Sequence, residues 1–288
     1  MAYTETAPIV VGIGEILYDV LPARKRLGGA PFNFARFAQH CGMTAVPISA
    51  VGEDGNGDQA KECLRRLGIT SRLVLRATEA STGLVTVELE ADGVPRYTIA
   101  EPAAWDFIRP CVDLQTISRK AAAVCFGTLA QRNPISRQTI RDFLDRLRPD
   151  CLRILDLNLR RPHYGREVIE ESLKRCSILK VSSEEAPEML RCLEMAEERW
   201  MENLLRKYRL QAILLTRGAE GATFFDRHRR FDVEASSFGP VQDTVGCGDA
   251  FTAAFVASRL CGEGYREAMA NAAQLAGKVA AGMMEEIQ

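Results

Sequence analysis

The sequence contains no long apolar segment, no C-x-x-C motif and no excess of charge of either sign. No stretch approaches the ~20 consecutive apolar residues of a membrane-spanning helix, so we predict no membrane segment. The nine cysteines are odd in number, which argues against a disulfide framework or a zinc cage. The formal net charge is -1, and Lys and Arg are scattered along the sequence. The sequence therefore has no basic cluster that would bind nucleic acid or an anionic membrane.

Other absences narrow the compartment and the chemistry. The first residues have neither the basic region nor the apolar core of a signal peptide, and we predict a cytoplasmic protein. His40, His163 and His228 are isolated and lack metal-ligand spacing. The segment V-G-I-G-E-I has only Gly12 and Gly14 and no helix within reach, so the dinucleotide-binding fingerprint of nicotinamide enzymes fails.

Apolar runs and helical periods alternate along most of the chain. Buried strands are predicted at 9–13 and 44–52, and amphipathic helices at 31–42 and 57–68, each helix closed by a glycine. A second series of the same kind occupies 121–218. Strands separated by helices favour a parallel sheet covered on both faces. A chain of 288 residues, 47% hydrophobic, is long enough to bury a large core around such a sheet.

One region departs from this alternation. Residues 72–100 alternate like strands, contain no helical period and include a D-G turn at 92–93. We therefore predict a small β excursion attached to the main layer. Because no linker rich in Pro or Gly is present, we predict a single domain, 1–288, with a lid formed by about 15–29 and 72–102.

The segment D-T-V-G-C-G-D-A-F, residues 243–251, places small residues and a carboxylate at the start of a predicted helix. The first amides of a helix lack partners and, with the helix dipole, attract an anion such as a phosphate. Gly246, Cys247 and Gly248 would let a phosphate approach closely. Asp249 could accept a proton from an attacking hydroxyl, an effect worth ~10²–10⁴ in rate. From this stretch alone, a tight turn with Asp249 as helix N-cap is the simpler interpretation.

The same segment resembles the D-T-x-G-A-G-D-x-F signature of ribokinase-like (PfkB) sugar kinases, with Cys247 where alanine is usual. Other segments agree in the same order: G-E-I-L-Y-D-V-L-P (14–22), L-G-G-A-P-F-N-F-A (27–35), V-G-E-D-G-N-G (51–57), D-L-N-L-R (156–160), S-S-E-E (182–185) and T-R-G-A-E-G (216–221). The resemblance implies a three-layer α/β/α fold with a mainly parallel central sheet and a small β-sheet lid. It also implies ATP and Mg²⁺ as cofactors, with K⁺ as a further candidate.

Residue roles follow from the resemblance. Asp249 would be the catalytic base, the amides of Gly246, Cys247 and Gly248 would hold the transferred anion, and Arg160 would assist. The residues implied to bind the sugar are Asp19, Gly28, Gly29 and Asn33. Those implied to contact the nucleotide are Thr216, Gly218, Gly221 and Asn271. Glu185 is implied to bind magnesium through water, and Asp243 to bind a monovalent cation. Each position also has an ordinary structural interpretation, as a turn, a cap, a hairpin or a surface charge.

Two departures from the family pattern bear on function. Ser182 stands where the family has asparagine, and 271–288 lacks the glycine-alanine turn and terminal strand that complete the nucleotide pocket. The segments 23–31, 94–108 and 155–164 most resemble bacterial fructokinases, so we predict phosphorylation of a primary hydroxyl of a ketose, fructose first, giving fructose 6-phosphate. The alternatives are a family kinase for 2-keto-3-deoxygluconate, ribose or a nucleoside, and a non-catalytic sensor of sugar or nucleotide.

The predicted partners are therefore the sugar and ATP, with no nucleic acid and no membrane. Because lids of this kind often meet across a two-fold axis in the family, the resemblance implies a homodimer through the lid. Cys247 is expected to be a reactive thiol, since the N-terminus of a helix can lower the pKa of a cysteine.

Overall fold

The computed structural model describes residues 7–21, 24–89 and 95–284. The first half of the chain forms β1 (Ile9–Ile13), β2 (Leu17–Leu21), β3 (Arg24–Gly28), α1 (Ala30–His40), β4 (Thr44–Gly52), α2 (Gly55–Arg66), β5 (Val74–Ala77), β6 (Gly83–Leu89), β7 (Pro95–Ile99), α3 (Val112–Lys120), β8 (Ala123–Phe126) and α4 (Pro134–Asp145). The second half forms β9 (Leu152–Asp156), α5 (Arg166–Arg175), β10 (Ile178–Ser182), α6 (Ala186–Leu193), α7 (Trp200–Tyr208), β11 (Ala212–Thr216), β12 (Ala222–Phe225), β13 (Arg230–Val233), α8 (Cys247–Leu260) and α9 (Tyr265–Ala280). Short 3₁₀ turns occur at Ala104–Phe107, Leu129–Gln131 and Gly218–Glu220.

Nine strands form the large sheet, in the order β13-β12-β11-β10-β9-β8-β1-β4-β5. The strands from β11 to β5 are parallel to their neighbours, and β12 and β13 continue one edge as antiparallel strands. Parallel strands covered on both faces are apolar along their whole length. The sequences IVVGI of β1 and AVCF of β8 show this pattern, and both strands are buried.

Helices cover both faces of the large sheet and bury two separate hydrophobic clusters. Because neighbouring strand residues point to opposite faces, Val11 of β1 belongs to one cluster and Val10 to the other. Helices α3 to α7 supply residues to the cluster of Val11, whereas α1, α2, α8 and α9 supply residues to the cluster of Val10. The α/β/α layering and the mainly parallel sheet predicted for this chain are therefore confirmed.

The small sheet has four strands in the order β3-β2-β6-β7. Strands β2 and β6 are parallel, and the β2–β3 and β6–β7 pairs are antiparallel. One part of the predicted lid range lies elsewhere, because β5 pairs with β4 in the large sheet and buries Val74 and Ala77. The D-G turn predicted at 92–93 lies outside the described residues.

The early strands and helices match the sequence pattern closely. The strands predicted at 9–13 and 44–52 have those bounds, and the helix predicted from 57 begins at Gly55, where Asp54 accepts a hydrogen bond from the amide of Gly57. A capping aspartate satisfies an amide that has no partner inside the helix. Across the described ranges, the helices all fall short of the length and apolar character needed to cross a membrane.

Candidate active site

The N-terminus of α8 lies beside strand β10 of the large sheet, because Gly248 approaches Lys180. Helix α8 begins at Cys247, and its N-cap is Gly246, whose φ of 84° is the left-handed conformation that favours glycine. No side chain caps this helix, and within the described ranges no hydrogen bond is made by the amides of Gly248 and Asp249. The interpretation of Asp249 as an N-cap is therefore wrong, and the first turn retains amides that can bind an anion.

The carboxylate of Asp249 is held by α1 and not by its own helix. Nδ2 of Asn33 donates a hydrogen bond to Oδ2 of Asp249 at 2.9 Å. Burial raises the pKa of Asp249 to about 6, and the carboxylate of Asp156 adds to the rise, while Lys180 and Asn33 oppose it. Asp249 is half-buried, and a pKa raised to about 6 lets its carboxyl group exchange a proton near neutral pH, as a general base requires.

A buried ion pair lies directly behind this helix start. Nζ of Lys180, on β10, donates to Oδ1 of Asp156, on β9, at 2.9 Å, and both side chains are almost fully buried. The ammonium group also approaches the anion-binding turn, because a Cβ on Gly248 would lie 2.9 Å from Nζ. Lys180 was not singled out from the sequence. A lysine inside an otherwise apolar, buried strand is the signal that could have identified it.

Glu15 supports the glycine pair at the start of α1. Its Oε1 accepts a hydrogen bond from the amide of Ala30 at 3.3 Å, and its Oε2 is buried without a partner among the described residues. Gly29 has a φ of 107°, and a Cβ there would lie 2.4 Å from the carbonyl oxygen of Glu15. Burial raises the pKa of Glu15 to about 7 in spite of its hydrogen bonds. Sequence reasoning did not assign this residue a role.

Asp19 and Gly28 lie close together on the β2–β3 pair, although they are not opposite each other in the register. Strand β2 pairs with β3 so that Leu17 lies opposite Gly28 and Asp19 opposite Arg26. A Cβ on Gly28 would lie 3.0 Å from Oδ2 of Asp19, so the missing side chain leaves that carboxylate room. Burial raises the pKa of Asp19, while the charges of Arg26 and Arg160 lower it.

Arg160 is exposed and lies in the loop after β9. Its positive charge lowers the pKa values of four carboxyl groups at this edge of the sheet, namely Glu15, Asp19, Asp156 and Asp249. Arg160 therefore acts electrostatically on Asp249, and its part in phosphoryl transfer stays a prediction.

Glu185 is tied to the backbone on both of its carboxylate oxygens. Oε1 accepts from the amide of Leu159 at 2.7 Å and Oε2 from the amide of Ser182 at 2.9 Å, and the hydroxyl of Ser182 accepts from the amide of Glu185. These bonds fix the loop that carries Arg160 against the end of β10. The charge of Glu185 also adds to the raised pKa of Asp156.

Thr216, Gly218 and Gly221 form the turn between β11 and β12. Thr216 pairs with Ser182 in the parallel register, and its carbonyl accepts a hydrogen bond from the amide of Ser183. These predicted nucleotide contacts therefore lie at the same sheet edge as Glu185. The turn is a hairpin, because β12 returns antiparallel to β11.

Asn271, on α9, lies against the C-terminal end of α8. Its Nδ2 donates to Oγ of Ser258 and to Oε2 of Glu263, at the C-terminal end of α8. At about 1.5 Å per residue, Ser258 lies about 14 Å along α8 from Asp249. The base of a nucleotide also lies well away from its γ-phosphate, so the role of Asn271 as an adenine contact stays a prediction.

Cys247 does not have the lowered pKa expected of it. Burial raises the pKa of its thiol to about 11, and the nearby carboxylates of Asp243 and Asp249 add to the rise. Its Sγ lies 3.8 Å from the carbonyl oxygen of Asp243. At this helix start, burial and two negative neighbours outweigh the helix dipole.

Asp243, the predicted ligand of a monovalent cation, is bonded to an arginine of the small sheet. Nη1 of Arg26 donates to Oδ2 of Asp243 at 2.7 Å, and Nη2 donates to the carbonyl oxygen of Val245 at 3.2 Å. The other carboxylate oxygen of Asp243 accepts from the amide of Val245. Among the described residues, no cluster of three or more His, Cys, Asp or Glu side chains could hold a metal ion.

The fold and the open helix start with its carboxylate define an α/β phosphotransferase. A model of the "pfkB family carbohydrate kinase" matches residues 15–282, and the chain belongs to that family. It is accordingly a phosphotransferase with an alcohol group as acceptor.

Named relatives extend across the chain. The chain is 30% identical over 267 residues to the uncharacterized sugar kinase PH1459 of Pyrococcus horikoshii, covering 86% of this chain and 81% of that protein. The crystal structure of that protein has a TM-score of 0.80 over 94% of this chain and 91% of the other, and it has also been solved in complex with ATP. The chain is 27% identical over 276 residues to an ATP-dependent 6-phosphofructokinase of Thermoanaerobacterium thermosaccharolyticum, covering 88% and 82%. A fructokinase of Salmonella typhimurium is 25% identical over 267 residues, covering 85% and 82%.

Proposed function

We propose that this protein is an ATP-dependent sugar kinase that transfers the γ-phosphoryl group to a primary hydroxyl of a ketose, with fructose as the first candidate. The observation that carries the proposal is the carboxylate of Asp249, bonded to Asn33 in front of an uncapped helix N-terminus. Phosphoryl transfer needs an electrostatic cradle for the moving group and a base that orients the nucleophile. Both lie within one turn of α8.

Asp249 is the base in this mechanism. Its carboxylate accepts the proton of the sugar hydroxyl as the hydroxyl oxygen bonds to the γ-phosphorus and the bond to the β-phosphate oxygen breaks. The products are a phosphosugar, ADP and a proton carried away on the carboxyl group. The amides of Gly246, Gly248 and Asp249 and the guanidinium of Arg160 stabilise the negative charge on the moving phosphoryl group. The amide of Cys247, which was also predicted to hold the anion, instead donates a hydrogen bond to the carbonyl oxygen of Thr244 at 3.2 Å.

The sugar is held by the groups at the start of α1 and on β2. Asp19 accepts hydrogen bonds from sugar hydroxyls, and Gly28 and Gly29 let the ring approach the backbone. Because Asn33 uses Nδ2 for Asp249, its amide oxygen can accept from a sugar hydroxyl and place that hydroxyl beside the base.

The nucleotide lies in this proposal along the turn after β11, with Thr216, Gly218 and Gly221 beside it. Magnesium fits the carboxylate pair Asp156 and Glu185, whose mutual repulsion contributes to the raised pKa of Asp156. Both carboxylates are already hydrogen-bonded, so they suit contact through water, which Mg²⁺ retains readily. When bound, the ion would shield the charge of the nucleotide phosphates.

The identity of the sugar is tested with a panel assay. Purified protein, MgATP and single candidate acceptors are mixed and ADP release is followed, with fructose, fructose 6-phosphate, ribose, 2-keto-3-deoxygluconate and a nucleoside as the panel. Fructose is expected to give the highest kcat/KM. Faster turnover of another acceptor would reassign the substrate, since one polar contact can reverse such a preference.

A sugar or nucleotide sensor is the alternative from another class. Its support is that Ser182 replaces the family asparagine and that both oxygens of Glu185 are engaged by backbone amides. The positive charge of Arg160, which lowers the pKa of Asp249, favours catalysis. The same assay separates the two, because a sensor would bind sugar in calorimetry and release no ADP with any acceptor.

A homodimer through the small sheet and a cytoplasmic location complete the proposal. Strands β3 and β7 are the two edges of the small sheet, and exposed edges tend to pair or to be covered. Light scattering at several protein concentrations tests the dimer. A mass of one chain at all concentrations would remove it.

A further inference from the structure

Arg26 takes the place that a monovalent cation would need. A cation at the loop before α8 would be held by the carboxylate of Asp243 and by backbone carbonyls, the oxygen ligands that K⁺ prefers in proteins. The guanidinium of Arg26 donates to Oδ2 of Asp243 and to the carbonyl oxygen of Val245. The side chains of Arg26 and Asp243 are 15% and 23% exposed, so the pair is largely shielded from solvent.

The remaining oxygen of Asp243 is also engaged. Oδ1 accepts a hydrogen bond from the amide of Val245 at 2.9 Å. A second cation at this carboxylate would have to share Oδ2 with a guanidinium, and two like charges at that separation repel strongly in a partly buried site. The residues present therefore do not fit the monovalent ion that the resemblance suggested for Asp243.

This contact acts on the anion-binding turn. Val245 directly precedes Gly246, the N-cap of α8, and the amide of Gln242 on the other side of Asp243 bonds to the carbonyl of Ala280. The loop is thus fixed at one end by α9 and at the other by Arg26. Since Arg26 lies on β3, the same bond connects the small sheet to the turn that would hold the transferred phosphoryl group.

We propose that Arg26 is a built-in cation that orders the Asp243–Val245 loop, so that phosphoryl transfer by this protein does not require a monovalent metal ion. The inference rests on the kinase function proposed above. Arg26 is a positioning residue in this account, because it acts through the loop and the amides of α8. Because Arg26 is part of the small sheet, the ordering of the Asp243–Val245 loop also depends on the position of that sheet.

The test compares salts at constant ionic strength. ADP release is measured in potassium chloride and in tetramethylammonium chloride, with nucleotide and sugar free of alkali metal ions. The unmodified protein is expected to have the same kcat in both salts within about twofold. Arg26→Gln should lose about 10- to 100-fold of kcat in tetramethylammonium, the rate equivalent of one charge-assisted hydrogen bond. Potassium or free guanidinium should restore most of this loss.

Lys25→Gln is the matched control, because it removes a charge of the same sign from the same strand. Lys25 bonds to the side chain of Asn56 and lies over the ring of Tyr18, away from Asp243. This variant should have the same kcat in both salts. A second measurement is the thermal midpoint: potassium should raise that of Arg26→Gln and leave that of the unmodified protein unchanged.

Three results would overturn the inference. The first is strong activation of the unmodified protein by potassium. The second is a kcat of Arg26→Gln that equals that of the unmodified protein in the absence of potassium. The third is a loss of kcat in Arg26→Gln that neither potassium nor guanidinium restores. The potassium comparison on the unmodified protein needs no variant to fold. If no acceptor gives ADP release in either salt, the proposed function fails, and the thermal midpoints alone decide whether potassium binds at Asp243.

Discussion

Nδ2 of Asn33 lies 2.9 Å from Oδ2 of Asp249 and joins the first turns of α1 and α8. The two residues are 216 positions apart in the sequence, yet the hydrogen bond places a predicted sugar ligand beside the predicted base. It also favours the ionised form of Asp249 and so opposes the rise in its pKa that burial causes. The protonation of the predicted base, Asp249, therefore depends on a predicted sugar ligand, Asn33.

The pH dependence of turnover should report this bond. With a pKa of about 6 for Asp249, kcat should fall as the pH drops through about 6, because a protonated carboxyl cannot accept the hydroxyl proton. In Asn33→Leu the acid limb should move to higher pH, since the donor that favours the carboxylate is lost. An acid limb at the same pH in both proteins would contradict the role of Asn33.

Lys180 and Asp156 form the second relationship with a measurable consequence. Lys180→Met leaves a buried carboxylate without its partner and should lower the free energy of unfolding by about 3–5 kcal/mol. It should also move the acid limb of kcat upward, because Lys180 lowers the pKa of Asp249. Denaturant unfolding measures the first effect. The double variant Asp156→Leu, Lys180→Met should recover most of the stability, and additive losses would argue against the pair.

Glu15 should make stability fall as the pH rises. Its pKa is about 7 in the folded protein and near 4.5 when exposed, so between these values the folded state binds more protons than the unfolded state. Stability is then highest below the lower pKa and is lost as the pH rises towards about 7. The loss amounts to about 3 kcal/mol for a shift of this size.

The matched variant for this effect is Glu15→Gln, which keeps the shape and the bond to Ala30 without the charge. At about pH 8 it should be more stable than the unmodified protein by much of that amount. Its free energy of unfolding should change less between about pH 5 and pH 8. Parallel pH profiles for the two proteins would show that Glu15 is not the titrating group.

Thiol alkylation should begin elsewhere than at Cys247. With the pKa of that thiol raised to about 11, little thiolate exists near neutral pH, and reaction follows the thiolate. Cys261 is the exposed cysteine of the described residues and should be labelled first in a time course read by mass spectrometry. Modification of Cys247 ahead of Cys261, with protection by ATP, would restore the sequence expectation of a reactive active-site thiol.

The strands of the large sheet were predictable because parallel strands covered on both faces are apolar throughout. β5 was assigned to the lid because its sequence is extended and contains the exposed residue Arg76, although Val74 and Ala77 are buried against the large sheet. Periodicity shows that a segment is extended, but the sheet to which it pairs depends on contacts far along the chain.

The individual residues of the site came from the resemblance, whereas their bonds required the fold. Lys180 and Asp156 are 24 positions apart and meet only because β10 pairs with β9. Arg26 and Asp243 are 217 positions apart and meet only in the fold. The family pattern therefore indicated a cation site at Asp243 but could not show that the guanidinium of Arg26 occupies it. A helix rich in small residues does not show which of its ends packs against the site, so the adenine contact predicted for Asn271 stays a prediction.

The most direct test of the account is Asp249→Asn, which removes the proton acceptor and nearly preserves shape. The rate of ADP release at saturating sugar and MgATP should fall by a factor of ~10²–10⁴, while calorimetry should give a nearly unchanged affinity for the sugar. The control is Asp226→Asn, which changes an aspartate of the β12–β13 turn and should retain full turnover. If Asp249→Asn turns over within a fewfold of the unmodified protein, Asp249 is not the base and the proposed mechanism is wrong.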